Sequence, residues 1–373
     1  MTTNTDVRTY DSTMPGAPSI TGQAGTLVAA LDALGTDGFG SVTLTSLVVT
    51  DGVGTATKTG HGFSLIGGTT YPVIRLAGAD VGALNSDVRI TWSDANTFTF
   101  PAPGIANQTV TGTITAKRAP FGLTKLYSGT SKAVYQLDRM ATNGHPGVLR
   151  VDDSAAQHAA LVMAESASSV DTVSGPTPTT GSYYGARSST ANSTVRAWRV
   201  FADPLGFYLF INNDGTNWYT AVWFGQVIPH FGADAYHCAL IAGYGSGVSQ
   251  SSFQSFNNES GAGFLRGISQ SGASVPARRF SHGRTPTSMG VGGQAYQSPA
   301  INQPYFFGWP VEVWDGATLA RGLMPGLINP VHNSDISDGT VENAIPQLSG
   351  RDVFVQRVYN ASAAGFDITG PWR

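Results

Sequence analysis

The side chains that could do chemistry fall into a few loose sets. His230, Asp234 and His237 lie close together in the sequence, near enough for one loop to gather a divalent metal. Asp234, however, falls where a turn is expected, and the plainer reading is a loop running into a strand. Asp335, Asp338 and Glu342, with Gly339 among them, offer oxygens to Ca²⁺, but at a spacing unlike that of an EF-hand loop. Asp152, Asp153, Glu165, Asp203, Asp214, Asp234, Glu259, Glu312 and Asp315 supply carboxylates. Glycoside cleavage needs two of them about 5–9.5 Å apart in space, which sequence separation does not report. His61 stands in a Gly-punctuated corner, Thr59-Gly60-His61-Gly62-Phe63. With no acidic residue, cysteine or second histidine close by in sequence, its ring is expected to cap the turn on backbone rather than to ligate. Cys238, the single cysteine, reads as a small buried hydrophobe and cannot form an internal disulfide. The sequence holds no Gly-x-Ser-x-Gly elbow, His-Glu-x-x-His pair, P-loop or dinucleotide fingerprint. The expectation is a chain with no catalytic residues, no metal and no cofactor.

Recognition chemistry is better represented. Pro276-Ala277-Arg278-Arg279, with Arg266 and Arg284, forms the basic cluster of the chain. Such a cluster is either a solvated loop or inter-subunit salt bridge, or a site where guanidinium groups fork the carboxylates or phosphates of an anionic glycan. Around it, residues 244–297 are dominated by glycine, serine and glutamine, with Phe253, Phe256, Phe264 and Tyr296 available for stacking. Residues 174–193 have the polar, Gly-, Ser- and Thr-rich profile of a second long loop. Loops on a rigid scaffold are where binding residues concentrate. Arg278, Arg279, Arg284, Phe253, Phe256 and Tyr296 are therefore the candidate saccharide contacts. Filling seams between subunits is the rival use of the same loops.

The scaffold itself is most legible between residues 194 and 243. Strands are expected at 196–202, 207–211, 217–224 and 235–242, separated by turns such as Asp203-Pro204-Leu205-Gly206 and Asn212-Asn213-Asp214-Gly215. Trp198, Phe201, Phe207, Tyr208, Phe210, Trp218, Tyr219, Trp223 and Phe224 make this the stretch richest in large side chains. Alternation places apolar residues on both faces of residues 217–224, and Trp223 and Phe207 are expected in the core. Before the meander, residues 1–22 read as a polar arm. Leu27, Val28, Leu31 and Leu34 recur at helical spacing until Gly35. A helix of nine residues is marginal alone, so residues 1–37 are expected to serve as an attachment device. Residues 38–118 carry five or six short strands, closing as a small barrel or sandwich. Residues 119–373 form a larger β-sandwich with long loops. The fold class is all-β.

Composition agrees. Charged residues are 12% of the 373, and glycines number 46, a bias toward turn-rich β-structure with a hydroxyl and amide surface. A net charge of −3 lacks the basic footprint of nucleic-acid binding. No apolar stretch approaches the roughly 20 residues of a membrane-spanning helix. Residues 1–11 lack the pattern of a secretory signal, so synthesis in a cytoplasm is expected.

The paired strands, the Thr59-Gly60-His61-Gly62-Phe63 corner, Ile74-Arg75-Leu76-Ala77-Gly78-Ala79, Leu84-Asn85 and Asn96-Thr97-Phe98-Thr99-Phe100 together resemble a small β module of tail and fibre proteins of tailed bacteriophages and prophages. Relatives usually carry Gly-Asp after the corner; Gly67-Gly68 stands here. The stretch from 121 to 243 resembles, in strand order and in the Trp198 to Cys238 motifs, the second part of phage tail proteins with the same domain order. The resemblance implies a structural virion protein of the tail tip, baseplate or receptor-binding appendage, made in the bacterial cytoplasm and released by lysis. It implies a homotrimer, other tail or baseplate proteins as partners, and host-surface polysaccharide as the molecule its loops would meet. A glycan-binding lectin-like module is the first alternative. A polysaccharide depolymerase is the second, although the short-strand repeat of a β-helix depolymerase is missing.

Overall fold

A computed structural model describes residues 5–215, 219–244, 262–270, 272, 275–280, 306–315, 319–330, 338–343, 345, 348–359 and 362–372. Phe253, Phe256, Arg284 and Tyr296 lie outside the described residues, as do Trp218, Glu259 and Asp335. The fold is all-β: strands dominate, and the described α-helices are two short ones, Thr26–Leu31 and Asp138–Asn143.

The meander forms the middle layer of the larger domain. Trp198–Asp203, Gly206–Ile211, Thr220–Gln226 and Cys238–Ile241 run antiparallel in that order, with Phe207 opposite Phe224 and Phe224 opposite Leu240. Because side chains alternate across a strand, Val200, Phe207, Leu209, Val222 and Phe224 enter one core, while Phe201, Tyr208, Phe210, Ala221 and Trp223 enter another. This explains why both faces of the sequence are apolar. As expected, Trp223 and Phe207 are buried.

A six-stranded sheet closes the first core: Leu123–Gly129, Lys132–Leu137, Val148–Asp152, His158–Ala164, Tyr183–Ala186 and Gly243–Tyr244. The second core is closed by the continuation of the meander's own sheet. From Cys238–Ile241 it runs through Ala262–Phe264, Val275–Phe280, Phe306–Asp315, Leu319–Pro330, Ser362–Asp367 and Val353–Tyr359. The sheet curls back so that Phe366 stacks on Phe201, centroids 4.4 Å apart and planes 5° from parallel. Tyr208 donates its hydroxyl hydrogen to the Pro325 carbonyl at 2.8 Å.

Two expectations are corrected here. The polar N-terminal segment is not a free arm: Arg8–Asp11 is a strand paired with Trp198–Asp203, from Arg8 opposite Ala202 to Asp11 opposite Arg199. Tyr10 is fully buried and bonds the Ala119 carbonyl. The helix Thr26–Leu31, continued by a π-helical turn at Asp32–Asp37, does not stand apart from the core either. Leu27, Leu31 and Leu34 belong to the first core, and Val28 packs against it. A helix this short has no independent stability, and its leucine stripe finds its cover between the two sheets. The Asp153 carboxylate holds the helix N-terminus, accepting from the amides of Leu27 at 2.7 Å and Val28 at 3.3 Å, where a negative charge is favoured. Residues 5–37 thus belong to the larger domain, and the module of residues 38–118 interrupts it. The second correction concerns the polar segment 174–193. It contains the strand Tyr183–Ala186, paired with His158–Ala164, and Arg187 and Ser188 beyond it are buried.

The module is a small sandwich. One sheet orders Phe39–Thr43, Thr115–Arg118, Val73–Ala77 and Asp87–Arg89; the other orders Trp92–Ser93, Thr97–Pro101, Val53–Thr57, Ser46–Thr50 and Gln108–Val110. Leu47, Val49, Ala56, Ile74, Leu76, Phe98 and Phe100 fill the space between. The turn from Ser46–Thr50 to Val53–Thr57 has φ of 50° at Asp51 and 75° at Gly52, the paired positive values a tight two-residue hairpin requires. The first sheet faces the larger domain. Arg8 pairs with Asp87 at 2.8 Å, and Arg89 Nη2 donates to the Val7 carbonyl at 2.7 Å.

Candidate functional site

The structure puts most of the reactive side chains to structural use. Asp234 accepts a two-pronged contact from Arg321, Nε to Oδ2 at 2.7 Å and Nη2 to Oδ1 at 3.0 Å. Both side chains are buried. Arg321 also donates to the carbonyls of Arg266 at 2.5 Å and Tyr236 at 2.7 Å, and its guanidinium lies 4.1 Å over the Phe264 ring. Asp234 Oδ1 also accepts from the Tyr236 amide at 3.0 Å, so both carboxylate oxygens already face fixed donors. His237 turns its Nδ1 to the Asp234 carbonyl, and His230 faces Glu312 at 3.3 Å. The three residues form a knot tying the loop after the third meander strand to Leu319–Pro330. Among the described residues no group of three or more His, Cys, Asp or Glu is placed to hold a metal. Asp338 accepts from Arg199 at 3.2 Å and from the Arg357 amide at 2.7 Å, so it faces donors rather than a cation cage.

The remaining carboxylates divide in the same way. Asp152 sits in a surface cluster with Lys132, Arg150 and Asp171. Asp153 is enclosed with Arg187, Oδ1 to Nε at 2.8 Å. Burial outweighs the guanidinium and the two helix amides, raising the Asp153 carboxyl to about 6. Asp203, at the first meander turn, is likewise raised to about 6 by burial, against the amides of Leu205 and Trp372. A carboxyl near 6 has the acidity of a general acid, but one must reach its substrate, and both of these are buried beneath side chains. Glu165 is clamped by Arg266, with contacts of 2.5 and 2.7 Å. Asp315 accepts from the Ile268 amide at 2.7 Å.

Arg266, counted in sequence with the basic cluster, is therefore committed to Glu165 and stacked 4.4 Å over Tyr236. Phe264 is buried. The strand Val275–Phe280 sets Arg278 across from Trp314 and Arg279 across from Val313. His61 behaves as expected, accepting at Nδ1 from the Phe63 amide at 3.0 Å. It sits between Phe63 and Phe98, centroids 5.4 and 5.2 Å away. Cys238 is buried in the first core, and burial pushes its thiol far above the reactive range.

Sequence reasoning missed the arginines that are fully buried among the described residues, Arg118, Arg187 and Arg321. The signal was faint. Each stands beside residues of short β pattern, and each partner lies far away in the chain. Arg118 donates to the Gly62 carbonyl at 2.7 Å and lies over the rings of Phe39 and Phe63, closing the Gly-His-Gly-Phe corner onto the strands. A cleft of about 250 Å³ also opens between Ile228, Leu323, Leu327 and Leu348 on one side and Pro371 and Trp372 on the other. The charged pair beside it, Arg351 and Asp367, is self-satisfied.

No family model matches the chain, and no curated protein matches it.

Proposed function

We propose that the chain is a non-catalytic structural protein of a tailed-bacteriophage virion, part of the tail tip or baseplate or of its receptor-binding appendage. It would be made in the host bacterial cytoplasm and assembled with other tail proteins as a homotrimer. The observation that carries the reading is the module of residues 38–118. Its Thr59-Gly60-His61-Gly62-Phe63 corner and Asn96-Thr97-Phe98-Thr99-Phe100 strand resemble those of phage tail and fibre modules. The structural employment of Asp153, Glu165, Asp203 and Asp234 supports a scaffold rather than a hydrolase. With the leucine helix inside the core, attachment to the particle falls to surfaces of the module or of the C-terminal strands. Two measurements on the purified chain test the reading. Sedimentation should give three chain masses, and incubation with host-surface polysaccharide should release no reducing ends. A monomer that releases reducing ends would overturn it in favour of a depolymerase.

A further inference from the structure

The two sheets of the module differ in chemistry. The sheet against the larger domain carries Arg75, Asp87, Arg89 and Lys117, with Arg75 and Asp87 paired at 2.7 Å. The other sheet turns a face of different character outward. Its registers align one row across all five strands: Trp92 opposite Thr99, Thr99 opposite Thr55, Thr55 opposite Val48 and Val48 opposite Thr109. A second row joins Thr97, Thr57 and Ser46, and a third joins Pro101, Val53 and Thr50. Directly opposed residues share a face, and the alternate residues Phe98, Phe100, Ala56, Leu47 and Val49 are buried beneath it. None of the outward residues is charged. Trp92 is 48% exposed and Val53 43%.

We infer that this face binds a neutral, extended polysaccharide. Adjacent strands lie about 4.8 Å apart and same-face residues about 6.8 Å apart along a strand, so the threonine and serine hydroxyls form a regular net at the scale of sugar hydroxyls. Covering hydroxyls is tolerable only if the partner returns their hydrogen bonds, which a polyol does. The Trp92 indole at the edge of the row offers an apolar plate for the C–H face of a pyranose ring. An anionic polymer would need cations here; the rim instead carries Asp51 and Asp94 against Lys58. A second copy of the chain would need a continuous apolar centre, whereas the apolar residues of this face, Trp92, Val48, Val53 and Pro101, are dispersed among hydroxyls. The site is separate from the arginine strand Val275–Phe280. It does not depend on the virion reading, because a module that binds glycan inside or outside a particle binds it in the same way.

Affinity electrophoresis of the full chain through gels containing dextran, yeast mannan or laminarin, with alginate as the anionic control, tests the assignment. At least one neutral polymer should retard the chain, Trp92→Ala should weaken that retardation about tenfold, and Thr55→Glu, at the centre of the net, should abolish it. Both side chains are exposed, so the thermal midpoints of the variants should match that of the parent. The assignment is overturned if no neutral polymer retards the chain, if Trp92→Ala and Thr55→Glu leave retardation unchanged, or if only alginate retards it. It is also overturned if Thr55→Glu abolishes self-association in sedimentation, which would give the face to a second copy.

Discussion

Asp203 shows what a single enclosed charge does to this protein. Its carboxyl rests at about 6 because burial disfavours the ionised form, whereas in the unfolded chain it would titrate near 3.9. Between those values the folded state holds the proton and the unfolded state does not, so this group lowers stability as pH rises from about 4 to about 6. Asp203→Asn removes the contribution. Relative to the parent, the variant should gain up to about 3 kcal/mol between pH 4 and pH 7, read by urea unfolding at the two pH values; an identical difference at both would show that Asp203 does not titrate there. Trp223 is the packing counterpart. It is fully buried against Tyr208, centroids 4.3 Å apart, and Trp223→Ala should cost about 3–5 kcal/mol, whereas a cost under about 1 kcal/mol would place it outside the core. At this scale the sequence was readable where a residue acts on its neighbours. His61 capping the Phe63 amide is a local event, visible in the Gly-His-Gly-Phe spacing. The Asp234–Arg321 pair was not, because 87 residues separate its members and no local pattern joins them.

Elements were legible through periodicity and obscure through destination. The meander strands follow from alternating aromatic and β-branched residues between turn sequences, and the observed strands fall close to where that pattern sets them. The strand Tyr183–Ala186 was hidden because glycines and serines around it give no alternation, and it is its neighbour His158–Ala164 that recruits it. The helix at Thr26–Leu31 was apparent from its leucines, but a short amphipathic helix reads the same whether it packs on its own chain or on another. Its place in the first core reverses what its isolation suggested. A chain beginning at Gly38 should therefore fail to fold, with loss of its cooperative unfolding transition. The milder variant Leu31→Ala should cost about 2–5 kcal/mol in denaturant titration. A cooperative, unchanged transition in the chain beginning at Gly38 would mean that the helix is not part of the core.

At the scale of the molecule, the two-faced meander becomes a middle layer with one core on either side, and the curled sheet supplies the second cover. That layering was implicit in the apolar residues on both faces of residues 217–224, but the identity of the covering strands was not, since one cover comes mainly from strands before the meander and the other from strands scattered between Ala262 and Asp367. The module of residues 38–118 docks through its charged sheet and presents its hydroxyl sheet outward. The buried ion pairs of the larger domain, Asp153 with Arg187 and Asp234 with Arg321, tie its own strands and loops to one another. The arginines at 278 and 279 offer one more check. If they meet host polymer, particles carrying Arg278→Ala and Arg279→Ala should adsorb more slowly to host cells, the loss deepening at low salt where screening is weak; unchanged adsorption with a less stable trimer would give them to a subunit seam. The account as a whole is tested most directly by purified phage particles. Mass spectrometry of washed virions should find this chain in a copy number that is a multiple of three, and immunogold should label the distal end of the tail. Particles free of the chain, with all of it left soluble in the lysate, would contradict the account.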